Sequence, residues 1–318
     1  MSLRKAGVNF IGGKFFLFGE TGSGKSMMIT TFPKIAIIDT ETGFSEYETY
    51  PNVEFVENTT SFKEIIDTLE EINDEYIDKI ETFAVDSETN IHNSMNIAMM
   101  DVAEKKALKA GKDPTDANVQ IRGFGKIKNV TRKIQLMKID LSSKGKFIVS
   151  TAQKGDITKM IGDKMVKIGE KAESHKSLPY DYDIILRLFV EKTKVKGKEV
   201  ASYKAEVIKD RTTVTSKYDI IENPSFKIWE KHYADKKKMG KIEPTDYHEA
   251  ENKDIEYLEQ EEESIKKSKI LLKKLIAQDK KLVIAIFKKL KIAKTSQINT
   301  LEIANEIIEY CNDNLSKE

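Results

Sequence analysis

Residues 19–26 read G-E-T-G-S-G-K-S, and no other stretch of the chain restricts its fold as severely. The spacing G-x-x-x-x-G-K-S wraps backbone N–H groups around a phosphate and requires a strand before the loop and a helix after it. Both flanks are present. Residues 14–18, K-F-F-L-F, form a short apolar run that stops at Gly19, and residues 26–32, S-M-M-I-T-T-F, read as a helix ended before Pro33. Glycine permits backbone conformations and close approaches that a side chain blocks, and a following helix offers its positive end to anions. The expected nucleotide-binding set is Gly19, Glu20, Thr21, Gly22, Ser23, Gly24, Lys25, Ser26 and Met27. Lys25 would reach the β and γ phosphates and the Ser26 hydroxyl would hold Mg²⁺, so ATP and Mg²⁺ are the expected cofactors.

The pattern downstream alternates strands with helices. Residues 34–39 and 82–86 are continuous apolar runs ending in Asp39 and Asp86, and residues 146–151 form a third; such runs suit strands covered on both faces. Ser61 followed by Glu64 is a capping-box signature, and Ile65, Ile66, Leu69, Ile72 and Tyr76 continue it at helical spacing. Helices are also expected from about 90 to 110 and from about 124 to 141. Residues 183–190 and 201–208, separated by Lys196-Gly197-Lys198, read as a hairpin extending the sheet. The expected fold is α/β, a mostly parallel central sheet flanked by helices, with an antiparallel extension and a small C-terminal helical domain. The expected divisions are a core at 1–245, an acidic linker or helix at 246–264, and a helical domain at 265–318, in which Leu282, Ile286 and Leu290 line one face and Leu301, Ala304, Ile307 and Ile308 another.

An NTPase needs an acidic residue holding Mg²⁺ from the end of a neighbouring strand, and Asp86 is the best placed for it, a helix N-cap or turn aspartate being the alternative. Hydrolysis needs a carboxylate to orient and deprotonate water. Glu41 emerges from the carboxyl end of the second strand, where open α/β sheets carry ligands. Glu88, two residues past Asp86, competes for that role.

The ordered set of residues 19–26, I-D-T-E at 38–41, V-D-S at 85–87, S-T-A-Q at 150–153 and K-D-R at 209–211 resembles the RecA-like recombinase core over residues 12–215. It looks most like the short phage-encoded members proposed to act as single-strand annealing or recombination ATPases. The resemblance implies that Glu41 activates the attacking water and that Gln153 senses the γ-phosphate and passes it to a DNA-binding loop that follows. It further implies that Lys209 and Arg211 reach a neighbouring subunit's phosphates, as an arginine finger does. A local capping role for Gln153 and ordinary solvated charge for Lys209 and Arg211 are the alternatives. About ten residues precede Ile11, shorter than the polymerisation segment of bacterial RecA, so a ring or weak oligomer stands beside a filament as the expected homo-oligomer.

Two segments are candidates for contact with single-stranded DNA. Residues 122–138 carry Arg122, Lys126, Lys128, Arg132, Lys133 and Lys138 with no acidic residue. Phe124, between Gly123 and Gly125, is expected at a mobile entry where a base can stack while lysines neutralise phosphate. A solvated amphipathic helix explains the same charges. Residues 154–176 hold six lysines against four acids and three glycines; they read as a flexible loop presenting Lys154, Lys159, Lys164 and Lys167.

Net charge is only +1 over 318 residues, so any nucleic-acid affinity must be local. Arginine occurs only at positions 4, 122, 132, 187 and 211, poor support for a metabolic kinase that clamps two phosphorylated substrates. A ring-type motor, a helicase loader and a nucleotide-dependent scaffold remain open, as does a single-strand-binding protein partner. No apolar run reaches the roughly 20 residues of a spanning helix, no secretory h-region follows the N-terminus, and Cys311 is the only cysteine. A cytoplasmic location, that of a host cell if phage-encoded, is expected.

Overall fold

Wholly apolar runs become the centre of a sheet. In the computed structural model, which describes residues 10–119, 121–195, 198–240 and 247–315, the first is β1 (Lys14–Gly19), buried along its whole length. It leads through the glycine-rich loop into α1 (Lys25–Ile29), then β2 (Ile35–Asp39), β3 (Val53–Asn58), α2 (Phe62–Glu71), β4 (Thr82–Asp86), α3 (Glu88–Lys109) and α4 (Ile121–Ser143). There follow β5 (Phe147–Ile161), β6 (Lys164–Glu173), the short α5 (Leu178–Asp181), β7 (Ile184–Val195), β8 (Lys198–Asp210), β9 (Ile220–Glu222) and α6 (Lys227–Met239).

The sheet order is β3-β2-β4-β5-β1-β7-β8-β9, with β6 added antiparallel to β5. Strands β3 to β7 along this path pair in parallel, whereas β7, β8 and β9 pair antiparallel. Successive side chains of a strand point to opposite faces, and both faces are covered. Phe15, Leu17 and Val149 pack with Met28, Ile29 and Trp229 on the α1 and α6 side, and Phe16, Phe18 and Ile148 with Ile65, Ile91 and Ile134 on the α2, α3 and α4 side. This is the α/β architecture expected, with a mostly parallel sheet, flanking helices and an antiparallel extension. The tip of that extension, Lys196-Gly197, lies outside the described residues.

The chain divides into two compact units, Met1–Thr245 and Asp246–Glu318. In the second, α7 (Tyr247–Gln278), α8 (Lys280–Lys289) and α9 (Leu301–Asn314) enclose Leu272, Leu275, Ile286, Ala304, Ile307 and Cys311. The acidic stretch from 247 is continuous helix with the lysine-rich stretch after it, so no break falls at 264; residue 246 lies outside the described residues.

Several local expectations are corrected. The helix after the loop stops at Ile29 rather than Phe32: the amides of Thr31 and Phe32 turn to the Met28 and Ile29 carbonyls three residues back, and the Thr30 and Thr31 hydroxyls donate to the Met27 and Met28 carbonyls, both at 2.7 Å. Gly123-Phe124-Gly125 is helical rather than a mobile entry, with Gly123 pressed against Met99 and Val119, where a Cβ would lie 2.9 and 2.6 Å from their side chains. Residues 154–173 are a two-stranded arm rather than a flexible loop: β5 runs on to Ile161 and returns as β6 through Gly162, whose φ of 62° is left-handed. Its β-branched Ile157, Thr158 and Ile161 carry strand propensity. The capping box is open, since Ser61 accepts from Glu64 N while the Glu64 carboxylate turns to the Thr59 hydroxyl. No helix among the described residues is long and apolar enough to cross a membrane.

Candidate nucleotide site

The carboxyl ends of β1, β2, β4 and β5 converge around the loop after β1. A cleft of about 650 Å³ opens there, lined by residues 21–28 of the loop and α1, by Glu41, Asp86 and Gln153, and by Tyr47, Leu188, Tyr203 and Asn223 on the far side. Gly22 and Gly24 hold left-handed φ values of 76° and 89°, which L side chains rarely adopt. Gly19 is constrained by space: a Cβ there would strike the Leu188 carbonyl and lie 2.6 Å from Ser23 Oγ. Glu20 is the exception within the expected set, its carboxylate directed outward to Lys154.

Ser26 Oγ donates to Asp86 Oδ2 at 2.5 Å, and the Thr151 hydroxyl donates to Asp86 Oδ1. Asp86 is buried, and desolvation raises its pKa; the Ser26 and Thr151 hydrogen bonds oppose the rise and the nearby Glu41 and Asp39 carboxylates add to it. A buried carboxylate with two other carboxylates near it favours a cation. Lys25 Nζ donates to the Gly19 and Glu20 carbonyls at 3.2 and 2.9 Å, and burial lowers its pKa against the attraction of Asp86 and Glu41.

Glu41 is positioned by its neighbours. The Asp39 carboxylate accepts from Glu41 N at 3.0 Å and from Phe44 N at 2.9 Å, folding the chain so that Glu41 leaves β2 toward the cleft. Its Oε1 accepts from Ser87 Oγ at 2.9 Å and from Gln153 Nε2 at 3.3 Å. Glu88, the competing base, is turned the other way: its carboxylate is buried against Lys138 and accepts from Ser150 Oγ at 2.7 Å. Lys138 is therefore an interior cation and not part of a solvent-facing basic stripe.

Lys209 and Arg211 lie at the opposite end of the sheet. Lys209 pairs in register with Ile185, three residues before the Leu188 that flanks Gly19, a separation of about 10 Å along the strand. Lys209 donates to the Tyr182 carbonyl, and Arg211 pairs with Asp183 at 3.3 Å with 58% of its side chain exposed. Neither contacts the loop of its own chain among the described residues.

Among the DNA candidates, Arg122, Phe124, Lys126 and Lys128 are exposed on α4, and Lys159 and Lys164 are exposed on the arm. Arg132 is engaged by Asp181 at 3.0 Å, Lys154 by Glu20 and Glu170, and Lys167 by Asp156 and Glu170. All three charges are compensated within the chain: Asp181 of α5 meets Arg132, and the pairing of β5 with β6, invisible when the segment reads as a loop, brings Glu170 beside Lys154 and Asp156 beside Lys167.

The oxygen donors meet what a magnesium nucleotide requires. Ser26 Oγ and Asp86 Oδ2 are adjacent hard ligands, Ser23 Oγ is buried without a partner, and left-handed glycines leave the cradle open. Thr40, Ser87 and Thr151 stand in the motifs at 38–41, 85–87 and 150–153 but carry no role there, and Tyr203 has no signal in the sequence. Thr40 receives Ser87 N at 2.8 Å, tying the ends of β2 and β4 together. Polar residues at the ends of otherwise apolar strands were the available signal.

No curated protein matches the sequence. Among solved structures the chain is similar to the crystal structure of the RadB recombinase, at 16% identity over 67% of this chain and 87% of that one, with a TM-score of 0.40. The profile of the AAA domain family matches residues 12–219, more than half of the sequence and every element from the glycine-rich loop to Arg211. With the phosphate cradle, its paired oxygen donors and the strand-end carboxylates all inside that match, the chain belongs to the AAA domain family.

Proposed function

We propose that the chain is a RecA-like ATPase that binds single-stranded DNA and promotes annealing or strand exchange in recombination of the phage type. The observation that carries this reading is the contact between Gln153 and Glu41. Gln153 is the residue at which β5 leaves the sheet to become the arm, so the group placed to activate water touches the root of a projecting, lysine-bearing element.

Bound Mg²⁺ and ATP supply the divalent charge and the scissile phosphoanhydride. Ser26 and Asp86 would hold the cation, Lys25 and the loop amides would orient the phosphates, and Glu41 would take the proton of a water that Ser87 and Gln153 help to position. Glu41 is favoured over Glu88 because Glu88 is already bound to Lys138 and Ser150. The distance of Lys209 and Arg211 from their own loop, and the exposure of Arg211, support a site completed by a second copy, in a ring or filament with nucleotide at the subunit interface.

On the arm, Met160 and Ile161 are each 57% exposed and Met165 66%, beside Lys159 and Lys164. The Lys159 and Lys164 ammonium groups can neutralise phosphates of an unstacked strand, with the exposed apolar side chains beside them. A labelled oligonucleotide titrated with the protein, with and without a non-hydrolysable magnesium nucleotide, tests the proposal. Nucleotide-dependent affinity that favours single over double strands is expected; affinity indifferent to nucleotide would count against it.

A further inference from the structure

Gln153 and Lys154 are consecutive on β5, and they turn to opposite faces of the sheet. Gln153 reaches Glu41. Lys154 reaches the loop by a separate route: its Nζ lies 2.5 Å from Oε1 of Glu20, the second residue of the phosphate cradle, and 3.0 Å from Oε1 of Glu170 on β6.

Glu170 is shared among three cations. Beside Lys154 it meets Lys167 at 2.8 Å and Arg187 on β7 at 3.0 Å. The Lys167 and Lys154 ammonium groups push its pKa down to about 2. Lys167 in turn contacts Asp156 on the outgoing strand of the arm at 2.7 Å, and Arg187 is anchored to Glu206 on β8 at 2.7 Å. A continuous chain of charge therefore runs from the loop to both strands of the arm and to the sheet. Folding alone does not demand it, because the backbone ladder from Gln153 to Ile161 already joins β5 to β6.

Glu20 gives this chain a sensor at one end. Its carboxylate belongs to a loop built to receive a polyanion, and it is the only acidic side chain there. Phosphate placed in the cradle repels Glu20 and competes for the Lys154 ammonium, which is also held by the arm. We propose that Lys154 is a positioning residue that couples occupancy of the loop to the conformation of the β5–β6 arm, through Glu20 on one side and Glu170 on the other, instead of a contact for nucleic acid. The proposal rests on the reading of the cleft as a nucleotide site. It provides a second link between cleft and arm, on the face of the sheet opposite Gln153.

Hydrogen exchange of the full chain, followed by mass spectrometry over residues 154–173 with and without a non-hydrolysable magnesium nucleotide, tests it without DNA. In the wild type, nucleotide is expected to change arm exchange by about fivefold. In Lys154→Met and, separately, Glu170→Gln, nucleotide affinity should stay within about twofold of wild type while the arm no longer responds. Lys154→Arg, which keeps the charge, should retain the response. An arm that responds normally in both variants, or does not respond in the wild type although nucleotide binds, overturns the coupling and leaves the nucleotide site standing. Failure of the wild type to bind nucleotide overturns both. If Lys154→Met does not fold, Glu170→Gln alone decides.

Discussion

Gln153 Nε2 lies 3.3 Å from Glu41 Oε1, the same oxygen that accepts from Ser87 Oγ at 2.9 Å. One carboxylate oxygen thus gathers groups from the ends of three strands, β2, β4 and β5. Gln153→Ala removes one of those donors and severs the root of the arm from the cleft. Hydrolysis by this variant is expected to fall and to lose its response to single-stranded DNA, with nucleotide affinity retained. Steady-state phosphate release with and without oligonucleotide checks it.

Lys138 is fully buried and pairs with Glu88, whose side chain is 5% exposed. Removing one partner of a buried pair leaves the other charge without compensation. Lys138→Met should therefore destabilise the core by about 3–5 kcal/mol in chemical denaturation, and adding Glu88→Gln should recover part of the loss. Equal stability of the single variant and the wild type would remove the pair from the account.

His92 on α3 and His175 after β6 stand with ring centroids 5.9 Å apart. Burial lowers both pKa values, and for His175 the charges of His92, Lys176 and Lys128 lower it further. The neutral forms are favoured on folding, so as pH falls below the ordinary value of 6.5 the unfolded chain takes up protons first and stability declines. Melting temperature should drop across that window and be flat above it. His92→Asn should shallow the slope, and an unchanged slope would assign the dependence elsewhere.

The buried central strands and the phosphate cradle were legible in the sequence because they rest on features that tertiary contacts seldom overrule: wholly apolar runs, and glycines required by backbone conformation. Less was legible at the edges. β3 carries Glu54 and Glu57 among its apolar residues and borders solvent, which dilutes its pattern. β9 has three residues, too few to register. The arm is hidden in the sequence because its glycine spacing resembles that of a flexible loop. Gly155 is instead buried inside a strand, where a Cβ would lie 2.7 Å from Glu173 Cγ. At the site, Glu41 could be named from its strand-end position, and Gln153 from the resemblance of S-T-A-Q at 150–153 to the RecA-like core. The braces Thr40 and Thr151 could not, since each acts through a contact between strands distant in sequence, and Asp39 acts through a local turn, accepting from Glu41 N and Phe44 N.

Arg122, Lys126 and Lys128 are exposed and form no ion pair among the described residues. If all three meet phosphates of a single strand, replacing them with alanine should lower the slope of log affinity against log salt by about 2. Anisotropy titrations across a salt series read this directly. An unchanged slope would restrict the DNA surface to the arm.

Arg211→Ala releases Asp183 from one ion pair at an exposed position, so the fold should survive. Turnover is expected to collapse while nucleotide binding persists, and small amounts of wild-type subunit should restore activity by more than their own share. Loss of binding instead would contradict action across an interface.

The central claim is that Glu41 activates water in a site that single-stranded DNA engages through Gln153 and the arm. ATP hydrolysis by wild type and Glu41→Gln, each with and without single-stranded DNA, tests it most directly. The account predicts stimulation by DNA in the wild type and a loss of about 10²–10⁴-fold in Glu41→Gln, with nucleotide still bound. Turnover by Glu41→Gln at the wild-type rate, or phosphoryl transfer to a small acceptor with no effect of DNA, would contradict it.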